Sequence, residues 1–177
     1  MAAYEFSIVA SGLDPAAENF ESQFYDAGCD DALVSFQKGH IIVDFTREAK
    51  SVGEAIASAI EAVESVGATV DRVEPDPLVS LSEIAFRTGM SRAAMTQYSK
   101  GQRGRDFPPP VARVTSDSPL WDWPTVARWF YRNDRLPREA VVEAAILKHA
   151  NDALANRAGR PLRQRLQERA LECEAAL

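Results

Sequence analysis

The sequence predicts an α+β protein made of three consecutive parts, and three observations support this prediction. The first 77 residues alternate strand-like and helix-like segments in the order β-α-β-β-α-β. Residues 78–136 hold two short capped helical patterns, then two extended segments and a third helix. Residues 137–177 show only helical periodicity. A chain of 177 residues is long enough for this arrangement.

The elements of residues 1–77 follow from apolar spacing and turn residues. One helix is expected at 16–27, where Phe20 and Phe24 recur at helical spacing, and another at 51–66. Gln37-Lys38-Gly39 between two apolar segments predicts a hairpin turn. Strands are predicted at 4–10, 32–36, 40–45 and 69–73. Two helices on one face of a four-stranded antiparallel sheet give the ferredoxin-like arrangement, which we expect for this domain.

Two binding functions are conceivable for this first domain. The segment Lys38–Phe45 shares its Lys-Gly start and Val-x-Phe end with the motif of RNA-recognition domains, which stack bases on exposed rings. Here His40 and Ile42 occupy the ring positions and Val9 replaces a ring on the first strand. We therefore prefer a hairpin whose alternate residues fill a core. Sensing of a small molecule through the sheet stays open, although no residue identifies a ligand.

Residues 80–100 have the pattern of two capped helices joined by a tight turn. Ser80 and Glu83 have capping-box spacing, and Ser91 is placed to cap the second helix. Gly89 suits the left-handed backbone of the turn between them. On the second helix, the residues expected to face a core are Ala94, Met95 and Tyr98.

The outward face of the second helix has the composition of a major-groove reader. It carries no acidic residue, and Arg92 and Gln97 can make bidentate contacts with guanine and adenine edges. Lys100 can meet a phosphate. The following segment, Gly101–Arg105, adds two cations on a loop expected to be flexible. Beyond Pro110, the segments 111–115 and 120–123 predict a β-hairpin wing, and Pro124 starts a third helix.

Residues 78–133 resemble the winged helix–turn–helix of the MerR/excisionase (AlpA-like) group. The resemblance rests on "LVSLSEIAFRTGMSRAAMTQY", "FPPPVARV" and "LWDWPTVARWF", in the expected order and spacing. It implies that the second helix enters the major groove and that the wing, with Arg113, touches the backbone or minor groove. The loop "SKGQRGRD" is longer than the usual connection. The predicted DNA-contacting residues are Ser91, Arg92, Thr96, Gln97, Lys100, Arg103, Arg105 and Arg113.

The charge of the chain is divided unevenly. The formal net charge is −6, but residues 1–80 carry −11, residues 81–113 carry +4 and residues 114–177 carry +1. A phosphate backbone responds to a local basic patch more than to the total. Residues 78–136 are therefore predicted to bind double-stranded DNA as part of a transcription regulator. The alternative is an antitoxin-like or adaptor protein whose acidic first domain or tail binds a partner such as a toxin.

The tail is expected to form two amphipathic helices, at 138–158 and 162–177, interrupted at Gly159-Arg160-Pro161. The stripe formed by Leu162, Leu166 and Ala170 suits pairing of two copies, because a helix–turn–helix protein usually binds two half-sites as a dimer. The sheet of the first domain is the rival dimer contact. His149 is expected to be a packed or surface side chain and not a metal ligand.

Neither a catalytic nor a metal site is predicted. The sequence has no P-loop, nucleophile elbow or paired histidines, so we expect no enzyme and no cofactor. The two cysteines, Cys29 and Cys173, are far apart and have no histidine near them, which indicates neither a disulfide framework nor zinc. No segment has the composition of a signal peptide or a membrane span, so a cytoplasmic protein without membrane contact is expected.

Overall fold

The computed structural model describes residues 1–156 and 162–177 of a mixed α+β chain. The chain divides into two compact units, the first formed by Met1–Pro75 and Ile146–Ala176, the second by Asp76–Ala145 with Leu177. The segment predicted as a separate tail therefore contributes to both units. None of the helices in the described ranges has the length and apolar character that a membrane span requires.

The first unit is built on a four-stranded antiparallel sheet. Two helices, α1 (Phe20–Asp26) and α2 (Val52–Ser65), connect its strands. The strands are β1 (Ala2–Ser11), β2 (Ala32–Gln37), β3 (His40–Ala49) and β4 (Thr69–Glu74), and their order across the sheet is β2-β3-β1-β4. The six elements follow one another along the chain in the predicted order. Strands β1 and β3 are central, so β2 and β4 form the two edges.

The core of the first unit lies between α2 and one face of the sheet. The predicted apolar face of α2 is confirmed, with the side chains of Val52, Ile56, Ala59, Ile60 and Val63 all buried. The helix starts where expected, because the Ser51 hydroxyl accepts a hydrogen bond from the Glu54 N–H at 3.2 Å. From the sheet side, the Phe6 and Phe45 rings stack with centroids 5.4 Å apart.

Turn residues decide where the neighbouring elements end. The hairpin between β2 and β3 is confirmed, and Lys38 and Gly39 both adopt positive φ, at 51° and 84°. Two successive positive φ values match the twist of the flanking strands. The first helix is shorter than predicted, because residues 15–19 form turns and helical structure begins only at Phe20. The Asp14 carboxylate accepts a hydrogen bond from the Ala16 N–H at 2.9 Å, which favours a turn there.

A buried arginine ties β3 to α2 and to the loop between α1 and β2. Arg47 is 8% exposed and makes a bidentate contact with Asp31, with both N–O distances at 2.8 Å. Its guanidinium also donates to the Gly28 carbonyl and to the Ser58 hydroxyl. It lies 4.6 Å from the centroid of the Phe45 ring. A buried cation costs desolvation free energy unless its N–H donors are satisfied. Here several segments of the chain supply the acceptors.

Residues of the C-terminal helices complete the first unit. The helices are α6 (Arg138–Ala155) and α7 (Leu162–Ala175). Leu166 is fully buried, and an added Cβ at Gly53 of α2 would lie 3.7 Å from its Cβ. Leu166, part of the stripe expected to pair two copies, is instead covered within the chain, since α7 packs on α2. The predicted interruption at Gly159-Arg160-Pro161 and the side chain of Leu162 lie outside the described residues.

Asn151 of α6 pairs with the outer edge of the sheet. Its side-chain carbonyl accepts a hydrogen bond from the Val73 N–H at 2.8 Å, and its amide donates to the Val73 carbonyl at 2.9 Å. A side-chain amide carries the same donor and acceptor as a peptide group, so Asn151 acts here as one residue of a further strand. The edge strand β4 is thereby covered at Val73.

The second unit combines three short helices with a small antiparallel pair of strands. The helices are α3 (Leu81–Thr88), α4 (Arg92–Ser99) and α5 (Trp123–Arg132), and β5 (Leu78–Val79) pairs with β6 (Trp121–Asp122). The first eight residues of α6 also belong to this unit. The core is formed by buried side chains from all these elements, including Val79, Ile84, Met95, Trp121, Val126, Phe130 and Val141.

Two details of the predicted wing region are wrong. Residues 111–115 and 120–123 do not form an extended hairpin: a single bridge joins Ala112 to Leu120, and Trp121 pairs with Val79. Trp123 does not follow Trp121 on a strand but begins α5, because the Asp122 carboxylate caps the helix by accepting from the Thr125 N–H at 3.2 Å. Both indoles are buried.

Replacing Asn151 tests the pairing with the edge strand. Asn151→Ala leaves both backbone groups of Val73 without their partners, so we expect the free energy of unfolding to fall by about 1–3 kcal/mol in urea titration. Asn156→Ala is the matched control, because the exposed Asn156 amide donates to a carbonyl of its own helix, that of Asp152. The control should change stability by less than about 0.5 kcal/mol. Equal losses in the two variants would contradict the pairing.

Candidate nucleic-acid interface

The backbone of α3, the turn and α4 is fixed by side-chain caps. The predicted capping box is confirmed: the Ser80 hydroxyl accepts from the Glu83 N–H at 3.3 Å, and the Glu83 carboxylate accepts from the Ser80 N–H at 2.7 Å. Gly89 has a φ of 64°, in the left-handed region that ends a helix. The Ser91 hydroxyl accepts from the Ala94 N–H at 3.1 Å and starts α4. The turn geometry follows from the residues that predicted it.

One face of α4 is anchored in the core. Met95 is fully buried and Tyr98 is 5% exposed, as predicted, whereas Ala94 is half-buried. The Tyr98 ring contacts three other rings, those of Phe107, Trp129 and Phe130, with centroid distances from 5.3 to 5.9 Å. Buried aromatic side chains carry a large apolar surface, so these contacts determine which residues of α4 face outward.

The opposite face of α4 is an exposed row without acidic residues. Arg92, Ala93, Gln97 and Lys100 are all exposed, as predicted. Thr96 is half-buried, and its hydroxyl donates to the Arg92 carbonyl at 3.1 Å. Ser91 is exposed at the start of the row, and its hydroxyl is used as the cap. The side chains that project into solvent are thus two cations, Arg92 and Lys100, and one amide, Gln97.

The loop after α4 is held against aromatic rings. The Trp129 indole N–H donates to the Arg105 carbonyl at 3.0 Å, and the Arg103 guanidinium lies 5.2 Å from the centroid of the Tyr98 ring. Gly104 has a φ of 70°, and a Cβ there would lie 2.9 Å from Tyr98 and 3.0 Å from Trp129. These contacts give the loop a defined path, where the sequence predicted a flexible one.

Arg113 lies in the segment between the bridged residues Ala112 and Leu120, which is called the wing below. It is exposed, has a φ of 51°, and its carbonyl accepts from the Ser116 N–H at 2.9 Å. Val111 and Val114 on either side are 56% and 60% exposed. At the base of the wing the Trp121 indole donates to the Pro108 carbonyl at 3.0 Å. The wing therefore presents one cation between two apolar side chains.

The roles of Trp129 and Arg87 were not predicted from the sequence. Trp129 is half-buried and orients the loop; a tryptophan N–H near a surface needs an acceptor, and this need was the available signal. Arg87 of α3 turns inward, lies 5.1 Å from the centroid of the Trp123 ring and donates to the Asp76 carbonyl at 2.9 Å. Burial lowers the pKa of Arg87. Its charge does not belong to the exposed surface.

Other chemistry-bearing side chains form no site in the described residues. Within residues 1–156 and 162–177, no group of three or more His, Cys, Asp or Glu side chains is placed to hold a metal ion. Both cysteines are buried, and burial raises the pKa of the Cys29 thiol to about 11. Burial likewise lowers the pKa of His149, assisted by Arg169 and Arg165. His149 is half-buried, which agrees with the packed or surface position expected for it.

Comparison with protein-family models, with curated proteins and with solved structures gives no match to this chain. The resemblance of residues 78–133 to the MerR/excisionase group accordingly depends on the residues of the three blocks alone.

Substitution of Gly104 tests whether the aromatic rings define the loop. Gly104→Ala adds a Cβ in contact with Tyr98 and Trp129, whereas Gly101→Ala, at a φ of 67°, places its Cβ in open space. Both variants carry the cost of a left-handed alanine, about 1–2 kcal/mol. We expect Gly104→Ala to lower the free energy of unfolding further and to change the near-ultraviolet circular dichroism of the rings. Indistinguishable spectra for the two variants would refute the contact.

Proposed function

We propose that this chain is a sequence-specific, DNA-binding transcription regulator, and that Asp76–Ala145 binds duplex DNA as a winged helix–turn–helix. The observation that carries the proposal is the exposed, acid-free row on α4, which lies opposite a face anchored in the core. A helix fixed in this way can enter the major groove with a defined rotation about its axis. The turn with Gly89, the third helix α5 and the short wing support the same fold.

The side chains of the row suit contacts with base edges. Arg92 and Gln97 can form bidentate hydrogen bonds with guanine and adenine, and the small Ala93 beside them permits close approach. The hydroxyl of Thr96 already donates to a carbonyl, so its remaining contribution is an acceptor or a methyl contact. Lys100, at the end of the helix, is suited to a phosphate. Ser91 contributes by capping α4.

The loop and the wing suit contacts with the phosphate backbone. Arg103 and Arg105 follow α4 on a loop whose path is held by Tyr98 and Trp129, so both cations are presented from a defined backbone. Arg113 supplies a cation on the wing. Asp76–Ala145 holds ten Lys and Arg against eight Asp and Glu, whereas the first unit is acidic. Phosphates are therefore attracted to the second unit and repelled by the first.

We assign the first unit to the ferredoxin-like arrangement. The chain order β-α-β-β-α-β, the sheet order β2-β3-β1-β4 and the antiparallel pairing support this assignment. We further propose that two copies bind paired half-sites, because one recognition helix contacts too few base pairs for useful specificity. Burial of Leu166 against α2 removes the centre of the tail stripe from the surfaces available for pairing.

The experiment that tests the proposal is binding of the full chain to a fragment with the promoter of its own gene and to a pool of genomic fragments. We expect salt-sensitive binding that selects particular fragments. Absence of binding to any fragment at low salt would overturn the proposal. Binding of equal strength to all fragments would contradict the proposal that binding is sequence-specific.

Two substitutions on α4 separate base contacts from phosphate contacts. Arg92→Ala should cost about 1–3 kcal/mol on the preferred site and relax the preference at one base pair. Lys100→Ala should weaken all sequences alike and flatten the slope of log K against log salt by about one. Lys50→Ala, which removes an exposed cation from the acidic unit, is the control and should leave both quantities unchanged. Fluorescence anisotropy over a salt series measures each effect.

A further inference from the structure

The outer edge of β2 is an unprotected strand edge. In the described part of the chain β2 pairs only with β3, and the sheet order places it at the end of the sheet. Its six residues pair with β3 in unbroken register from Ala32 to Gln37, without a bulge. The strand, "ALVSFQ", contains neither proline nor a charged residue. Proline, charge and bulges are the usual means by which proteins protect an edge, and β2 has none of them.

Exposed apolar side chains lie along this edge. Leu33 is 69% exposed and Phe36 is 46% exposed. Tyr25 of α1, which lies beside the strand, is 65% exposed. The opposite edge of the same sheet contrasts with this one, because β4 is covered at Val73 by Asn151. Exposure of large apolar groups beside an unpaired strand is typical of a surface that binds a partner.

A groove of about 620 Å³ runs between α1 and β2, and its charged side chains are acidic. Glu18 and Glu21 line it, with no lysine or arginine among the lining residues. The nearest cation along the strand is Lys38, in the turn beyond Gln37. The apolar side chains of the groove come from the turns before α1, from α1 and from β2, and include Pro15, Phe20, Tyr25, Leu33 and Val34.

The negative charge of the groove determines which class of ligand it can bind. A nucleic acid would bring phosphates towards Glu18 and Glu21, and a second copy of this chain would bring the same carboxylates towards each other. The whole first unit is also acidic, with eighteen Asp and Glu against ten Lys and Arg in its sequence. A basic peptide segment is attracted to the groove, whereas a nucleic acid and a second copy of this chain are repelled. An extended conformation is required because the free groups are those of a strand edge.

We propose that the β2 edge and the adjacent groove bind a basic, extended peptide segment of another protein by strand addition. The backbone of the segment pairs with the outer side of β2, its apolar side chains contact Leu33 on one face, and its lysine or arginine side chains meet Glu18 and Glu21 on the other. This binding is a property of the first unit and does not depend on DNA binding by α4.

The proposal is tested with the full chain and a fluorescent peptide of about eight residues that alternates valine and lysine. We expect saturable binding by anisotropy, weakened by salt, and slowed hydrogen–deuterium exchange of the amides of 32–37 in the complex. A second peptide in which proline replaces one central valine should bind at least about tenfold more weakly, because proline cannot donate to a strand.

Matched variants locate the site. Leu33→Lys puts a cation on the edge and should weaken peptide binding at least about tenfold, whereas Leu171→Lys, at a side chain 67% exposed on α7, should leave it unchanged. Glu18→Gln combined with Glu21→Gln should remove most of the salt dependence, with Glu48→Gln combined with Glu64→Gln as control. Far-ultraviolet circular dichroism of each variant establishes that the fold is retained.

Three results would overturn the proposal. Equal binding of the two peptides would mean charge attraction without strand pairing. Unchanged binding by folded Leu33→Lys would place the peptide elsewhere. Failure to bind the peptide, together with concentration-dependent dimerisation that Leu33→Lys abolishes, would assign the edge to a second copy of this chain. Each of these results is independent of whether the chain binds DNA.

Discussion

The packing of Tyr98 among the rings of Phe107, Trp129 and Phe130 fixes the rotation of α4 and the path of the loop after it. Because the Tyr98 ring is buried, the residues on the opposite side of the helix must face solvent. The same ring supports Arg103, and its neighbour Trp129 donates to the Arg105 carbonyl. One aromatic cluster therefore fixes both the exposed row on α4 and the basic loop, which have a defined geometry relative to each other.

The division of charge between the units has a physical consequence for association. Exposed charges act over about a Debye length, roughly 8–10 Å at physiological salt, so each surface is governed by its own neighbourhood and not by the total of −6. A polyanion is attracted to the second unit, and a polycation to the first. The two proposed ligands therefore have opposite charge, and neither competes electrostatically for the surface of the other.

Local patterns in the sequence were sufficient to predict the elements that local interactions determine. The capping box at Ser80, the left-handed turn at Gly89 and the outward face of α4 all follow from residues within four positions of one another. The start of α5 at Trp123 was also predictable, since Asp122 precedes a proline in the first turn. The spacing of Trp121 and Trp123 two residues apart, however, favoured a strand.

Local sequence patterns could not predict contacts between segments that are distant along the chain. The amide of Asn151 meets Val73 across 78 positions, and the Trp129 indole meets Arg105 across 24. Leu166 packs on Gly53, although its stripe by itself suited a second copy equally well. An apolar stripe indicates that one face of a helix is buried, but it does not identify the segment that covers this face. Half of the candidate interface, the row on α4, was therefore predictable, and the fixed path of the loop was not.

The cover that Asn151 provides for β4 limits how far any assembly through this sheet can extend. A sheet with two bare edges can add molecules at both ends and grow into a filament. Here Asn151 of α6 occupies the backbone groups of Val73 on β4, whereas β2 pairs only with β3 in the described part of the chain. A strand added to β2 would enlarge the sheet at that edge, and addition at β4 would first have to displace Asn151 from Val73.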